Sequence, residues 1–102
     1  REAIAWITEG NGRERTIGEA TTQEDSLDLV NELYRLGALS VIAVEIDDLD
    51  VERQNTGRVV VELPTDSVLR RQVLESCGRI ASESGFEPEC DDGQRFVLLM
   101  LD

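Results

Sequence analysis

The chain has 102 residues, of which 22 are acidic, 10 are basic and none is histidine, and its formal net charge is −12. Every basic residue is an arginine, so the imidazole and amine groups that commonly act as general base, metal ligand or Schiff-base former are missing, which argues against an enzyme. The negative charge repels phosphate backbones and anionic membrane surfaces, and no apolar run approaches the roughly 20 residues that cross a bilayer. We therefore expect neither nucleic acid nor a membrane as a partner.

The amino-terminal part predicts one strand, followed by a stretch without a clear pattern. Residues 3–7 form a short apolar run that ends in Gly10, Asn11 and Gly12, which are turn formers. A short apolar run closed by a turn is typical of a strand, so we assign residues 3–7 to a first strand. Residues 13–20 are polar and mixed, and they predict no element.

A first helix is predicted over residues 22–36. Thr21 and Thr22 supply a hydroxyl cap, and the acidic residues that follow stabilise the first turn of a helix. Apolar side chains then recur at helical spacing, and Gly37 follows as a left-handed terminator. These apolar side chains are Leu27, Val30, Leu33 and Tyr34, joined by Leu29 and Leu36.

Two β-branched runs predict a hairpin. Residues 39–46 and 58–63 are rich in valine and isoleucine and nearly continuous in apolarity, which favours strands covered on at least one face. The polar segment between them, residues 47–57, closes with the turn former Gly57. We therefore predict a hairpin whose arms extend beyond the core sheet.

A second helix and a last strand complete the predicted order. Residues 64–67 end the preceding strand and cap a helix, which Gly85 ends with Phe86 as its hydrophobic cap contact. Residues 96–101 are apolar on both faces of a strand, so we place this strand in the centre of the sheet. The buried stripe of the helix is Leu69, Val73, Cys77 and Ile80, widened by Leu74 and Ala81.

The order strand, helix, strand, strand, helix, strand predicts a single α+β domain over residues 1–102. Two right-handed βαβ units joined by a hairpin form a ferredoxin-like split βαβ plait (βαββαβ), a four-stranded antiparallel sheet with two helices on one face. The helices leave the other face uncovered, and Val60, Val97 or Leu99 must point there in any register. The predicted core is Leu33, Val44, Val61, Val73, Cys77, Ile80 and Val97.

The densest group of carboxylates, at Asp47, Asp48, Asp50 and Glu52, is the best candidate for a metal site. Calcium and magnesium prefer oxygen ligands, so a divalent cation is the one cofactor that the sequence suggests. However, Arg53 stands where a calcium loop requires glycine, and no acid closes the loop at its twelfth position. The sequence favours the alternative, an exposed acidic hairpin that prevents edge-to-edge aggregation.

The two cysteines point to no site. Cys77 and Cys90 do not form a CxxC pair, and without histidine they cannot complete a common zinc site. The acidic loop of residues 87–93, which surrounds Cys90, opposes thiolate formation, and we interpret it as solvated charge. Two reduced cysteines favour a cytoplasmic location.

The function that we expect is a protein-interaction or regulatory module without enzymatic activity, with small-ligand sensing as a related option. It would act through a homodimer or another protein partner, because apolar strand surface exceeds what two helices can cover. The alternative is a cation-binding domain or a metal-dependent enzyme that uses Asp47, Asp48 and Asp50.

The carboxylate excess predicts a fold that salt stabilises. An excess of acids with arginine alone is typical of proteins adapted to salt, and equally of a genome that prefers arginine codons. Raising the ionic strength from 0.01 M to 0.15 M shortens the Debye length from about 30 Å to about 8 Å and weakens the repulsion. We expect the melting temperature to rise with sodium chloride over this range. A flat or falling melting temperature would show that the charges are already paired or dispersed.

Overall fold

Three helices and six short strands make up the described part of the chain. The structure is a computed structural model that describes residues 1–10, 12–20 and 22–101. In chain order the elements are α1 (Ala3–Thr8), β1 (Glu14–Ile17), α2 (Gln23–Leu36), β2 (Ser40–Val44), β3 (Asp47–Asp48), β4 (Arg53–Thr56), β5 (Arg58–Glu62), α3 (Ser67–Glu83) and β6 (Phe96–Met100).

The chain opens with α1, so the prediction of a strand over residues 3–7 is wrong. The Glu2 carboxylate caps this helix by accepting the backbone N–H of Ala5 at 2.7 Å, which satisfies one of the N–H groups that a helix start leaves free. An apolar run this short fits a buried helix as well as a strand. The buried side chains have the spacing of one helical face, and they are Ala3, Trp6 and Ile7.

A series of hydrogen bonds joins α1, α2 and β2. The Tyr34 hydroxyl donates to the Glu2 carboxylate at 2.7 Å and accepts the backbone N–H of Val41 at 3.0 Å. Burial alone would raise the pKa of Glu2, but the hydrogen bonds from Ala5 and Tyr34 outweigh it and hold that pKa below its ordinary value. Burial, together with the nearby Glu2, raises the pKa of Tyr34. The ionised carboxylate and the neutral phenol therefore stabilise each other.

The first predicted helix is confirmed as α2. The Thr22 hydroxyl accepts the backbone N–H of Asp25 at 3.0 Å and caps the helix, whereas Thr21 lies outside the described residues. Gly37 follows with a φ of +120°, a conformation that favours glycine. Val30 and Leu33 are buried on the face that the periodicity predicts.

The second predicted helix is confirmed as α3. The Asp66 carboxylate accepts two backbone N–H groups of the first turn, both at 3.0 Å. Gly85 has a φ of +87°, and the backbone N–H of Phe86 returns to the carbonyl of Ala81 at 2.8 Å. Both ends therefore use the caps that the sequence predicts.

The predicted hairpin is confirmed, and it is one long antiparallel ribbon that bends between two sheets. Val44 lies opposite Arg58 in the β2–β5 half, and Asp47 lies opposite Asn55 in the β3–β4 half. The two halves share one register, so neither arm gains or loses a residue through the bend. The proximal half, β2–β5, belongs to the main sheet, and the distal half, β3–β4, belongs to a second one.

Thr56 holds this bend. Its hydroxyl lies within hydrogen-bonding distance of the carbonyl oxygens of Val44 and Arg58, and it accepts the Arg58 backbone N–H at 3.1 Å. On the other arm, Glu45 has a φ of +51°, which is uncommon for a residue other than glycine. Beyond the bend, β4 pairs in parallel with β1, and the second sheet has the order β1-β4-β3.

The predicted ferredoxin-like plait, with four antiparallel strands and two helices, is wrong; only the mixed α and β content agrees. The first predicted strand is the helix α1, and residues 13–20, which predict no element, contain β1. The main sheet has three antiparallel strands in the order β2-β5-β6. Residues 96–101 therefore lie at an edge and not in the centre of the sheet.

The predicted core is confirmed at five of its seven positions, namely Leu33, Val61, Val73, Cys77 and Val97. Val44 and Ile80 are only half-buried. Strand alternation explains Val44, because Val41 and Ala43 occupy the side of β2 that faces the helices. The rest of the cluster includes Trp6, Ile7, Ile17, Val30, Val41, Val59 and Leu99.

Truncation of a core leucine tests this packing. Leu33 is fully buried, and Leu33→Ala should lower the free energy of unfolding by roughly 2–5 kcal/mol, since it removes apolar contacts and leaves a cavity. Leu49→Ala is the matched control, because Leu49 is 56% exposed and should lose no more than about 0.5 kcal/mol. Urea denaturation measures both values. A loss below about 1 kcal/mol for Leu33→Ala would mean that this face of α2 is misassigned.

Candidate functional site

The predicted metal ligands lie along the distal half of the ribbon. Asp47 and Asp48 form β3, and Asp50 and Glu52 lie in the turn before β4; all four side chains are exposed. As successive strand residues, Asp47 and Asp48 point to opposite faces. The four carboxylates therefore lie in one short segment, but they do not all point to the same side.

Two of these carboxylates already have partners within the ribbon. Asp48 accepts a hydrogen bond from the Gln54 amide at 2.7 Å. Asp50 forms an ion pair with Arg53 at 2.8 Å and accepts the backbone N–H of Glu52 at 2.8 Å. The Glu52 N–H and then Arg53 hold the pKa of Asp50 below its ordinary value. These contacts stabilise the ribbon, and they use the same carboxylates that the sequence predicts as cation ligands.

Within residues 1–10, 12–20 and 22–101, no three His, Cys, Asp or Glu side chains form a group that could hold a metal ion. At Asp48 and Asp50 an ion would compete with the contacts to Gln54, Arg13 and Arg53. The divalent-cation site therefore stays a prediction.

The second acidic segment, residues 87–93, packs along α3. Asp91 forms an ion pair with Arg70 at 2.7 Å, and this contact lowers the pKa of Asp91. A Cβ placed on Gly78 would stand 3.0 Å from the Cβ of Pro88, so the glycine in the middle of α3 is what allows this close approach. Residues 87–93 are exposed, in agreement with the prediction of solvated charge, and they contact the helix at two points.

Both cysteines are free thiols. Cys77 is buried in α3, and burial, with a contribution from the negative charge of Glu89, raises its pKa to about 11. A thiol with such a pKa is protonated at neutral pH and is a poor nucleophile. Cys90 is exposed in the acidic segment.

The side of the β2–β5–β6 sheet that points away from the helices carries a continuous apolar surface, which we call the outer face. Ile42, Val60 and Leu98 lie opposite one another in one row across the three strands. Phe96 and Leu98 are 45% and 46% exposed, and the other apolar residues of this side are half-buried, so the described chain covers this surface only in part. The outer face consists of Ser40, Ile42, Val44, Arg58, Val60, Glu62, Phe96, Leu98 and Met100.

The prediction that apolar strand residues point away from the helices is confirmed for Val60, and Leu98, which the prediction did not name, lies beside it on the same side. Val97 and Leu99, the other candidates, are buried and face the helices. Strand alternation alone could not decide between the two sets, because every residue from Phe96 to Met100 is apolar.

Opposite charges border the outer face at its two ends. Arg58 forms an ion pair with Glu45 at one end, and Glu62 forms one with Arg95 at 2.8 Å at the other. Arg95, followed by the Ser40 hydroxyl, lowers the pKa of Glu62. The Arg95 guanidinium also lies 5.0 Å from the centre of the Phe96 ring, within range of a cation–π contact. The surface is therefore locally neutral in a chain of net charge −12.

No protein-family model, no curated protein and no solved structure matches the chain. Among the described elements, no helix has the length and apolarity that crossing a bilayer requires.

A thermal melt with added cations tests the acidic ribbon. A cation that binds the folded chain at 100 times its dissociation constant adds about 2.7 kcal/mol of stability. Since Asp48 and Asp50 are held by Gln54 and Arg53, we expect calcium, magnesium and manganese to raise the melting temperature no more than sodium chloride of equal ionic strength. A larger rise that Asp50→Asn abolishes and chelator reverses would establish the cation site instead.

Proposed function

We propose that this chain is a protein-interaction module that associates with a second copy of itself through the outer face. The observation that supports the proposal is the apolar row of Ile42, Val60 and Leu98 across all three strands of the main sheet. Leu98 is exposed and Ile42 and Val60 are half-buried, and contiguous apolar surface that remains accessible to solvent is typical of interaction sites. A binding role of this type requires no catalytic group, in keeping with a composition that lacks histidine and lysine.

The charges at the ends of the outer face favour a second copy as the partner. Arg58 and Glu62 flank Val60 on the same side of β5, two residues away in each direction. A two-fold axis between two outer faces, perpendicular to the strands, reverses the strand direction. It sets Val60 against its own counterpart and brings the Arg58–Glu45 pair of each copy toward the Glu62–Arg95 pair of the other, so that no like charges are left to repel. The surface is therefore complementary to itself, as an isologous interface requires.

The net charge sets the salt dependence of this association. Two copies of charge −12 repel each other at long range, whereas the ion pairs at both ends keep the contact surface itself neutral. Salt screens the long-range repulsion between the copies and does not weaken the burial of apolar surface. The dimer should consequently tighten as the salt concentration rises.

Sedimentation equilibrium at tens of micromolar protein tests this function. We expect the wild-type chain to contain more dimer at 0.15 M than at 0.01 M sodium chloride, since the Debye length falls from about 30 Å to about 8 Å. Val60→Arg places two like charges at the centre of the interface and should yield a monomer at both concentrations. Val51→Arg is the matched control: the charge change is the same, and Val51 is 85% exposed in the distal ribbon.

Two results would refute the proposal. One is a wild-type chain that is monomeric at both salt concentrations. The other is equal dimerisation of Val60→Arg and Val51→Arg, which would place the contact elsewhere on the molecule. A melting curve for each variant separates a lost interface from a lost fold.

A further inference from the structure

The free edge of β6 presents backbone groups that its neighbour β5 does not use. The backbone N–H of Leu101 donates to Gly57, and that of Leu63 donates to Arg95, both at 2.8 Å. In an antiparallel pair the residues alternate between facing the partner and facing away, and this register leaves Phe96, Leu98 and Met100 facing away. Among the described strands, only β5 pairs with β6. Three N–H and three C=O groups therefore line an open strand edge.

A pocket of about 130 Å³ lies directly beside this edge, between β6, α3 and the connection that joins them. Four consecutive residues of β6, 97–100, form one wall, and Leu74 and Cys77 of α3 form another. A cavity of about 150 Å³ accommodates a benzene-sized group, so this slightly smaller pocket has room for part of one side chain. Its lining is mainly apolar, and the two charged residues in it are Glu87 and Glu89.

We infer that this edge binds an extended polypeptide strand in which arginine or lysine alternates with apolar residues. Strand addition would satisfy the outward N–H and C=O groups of Phe96, Leu98 and Met100. A side chain of the added strand that points toward α3 enters the pocket. There its aliphatic stem contacts Leu74 and Cys77, and its cationic end reaches Glu87 and Glu89.

Charge identifies the occupant as a basic segment from another protein rather than a second copy of this chain. Both acidic residues of the pocket lie in the segment 87–93, which carries four carboxylates, of which Asp91 is paired with Arg70 of α3. A second β6 at this edge would bring its own copy of that segment and the net charge of −12 with it. A basic strand meets attraction at the same place, and its apolar residues extend the outer face beside Leu98.

Fluorescence anisotropy with labelled synthetic peptides tests the inference on the whole chain. The probe is the heptapeptide Val-Arg-Val-Arg-Val-Arg-Val, and its analogue with glutamate in place of arginine should show no binding. Two further peptides carry backbone N-methyl groups, one on the valines and the other on the arginines. Each blocks hydrogen bonding along one edge of the peptide strand only. We expect one of the two to lose at least about tenfold in affinity and the other to stay within about threefold of the parent.

Variants of the pocket provide the second measurement. Glu87→Gln with Glu89→Gln should weaken the arginine peptide about threefold to tenfold, whereas Glu24→Gln with Asp28→Asn on α2, which changes the net charge equally, should leave it nearly unchanged. The Val60→Arg variant should still bind the peptide, so failure of the homodimer and failure of this site give different results.

Three outcomes would overturn the inference. The first is no binding of the arginine peptide, and the second is an equal response to the two N-methylated peptides, which indicates charge attraction without strand addition. The third is a residual dimer of Val60→Arg that competes with the arginine peptide for binding, which would mean that a second copy occupies this edge.

Discussion

The hydrogen bonds of the Thr56 hydroxyl are the constraint on which the rest of the fold depends. The side chain is fully buried, and it joins the carbonyl of Val44 on one arm of the ribbon to the backbone of Arg58 on the other. Because the ribbon bends there, its distal half leaves the main sheet and gives β1 a parallel partner. Arg15 of β1 in turn donates to the carbonyl of Trp6 at 2.6 Å and lies over its ring, which ties α1 to the second sheet. The bend thus determines which strands each sheet receives, and it leaves the main sheet with three strands and one open face.

The sequence predicts the parts of this fold that local chemistry decides. Both long helices are capped and terminated within a few residues of their ends, and those residues are visible in the sequence. The hairpin is predictable for the same reason, because β-branched runs flank a polar segment. The failures are segments whose structure depends on distant partners. Residues 14–16 are polar and only Ile17 is apolar, so no strand pattern is visible, and the strand forms by pairing with β4. The apolar run at residues 3–7 fits the period of a helix and that of a strand. The helix forms with Glu2 as its cap, and the Glu2 carboxylate is held by Tyr34 of another helix.

The candidate surfaces were also predictable only where local sequence decides them. Composition indicates that apolar residues of β5 and β6 must face away from the helices, and the outer face carries them. It cannot show that β6 lies at an edge, since an apolar strand suits a central position equally well. The pocket beside β6 had one sequence signal, a glycine in the middle of a helix. Gly78 can be interpreted only together with Pro88, which lies ten residues further on and packs against it. The partners of Asp48 and Asp50 were equally unpredictable, because the sequence alone does not show that Gln54 and Arg53 contact these carboxylates.

The shared register of the ribbon limits where the chain can change length in evolution. A single residue inserted into either arm would turn every following side chain to the opposite face. On β5 this would expose Val59 and Val61 and bury Arg58 and Glu62. It would also separate Thr56 from Val44. A change of length in the turn at residues 49–51 would cost the contacts of Asp50 but not the register of the arms, since Leu49 and Val51 are exposed and lie outside the paired strands. Loop insertions and deletions are therefore tolerated at the tip of the ribbon, where a new loop would extend from the second sheet and leave the outer face and the edge of β6 unchanged.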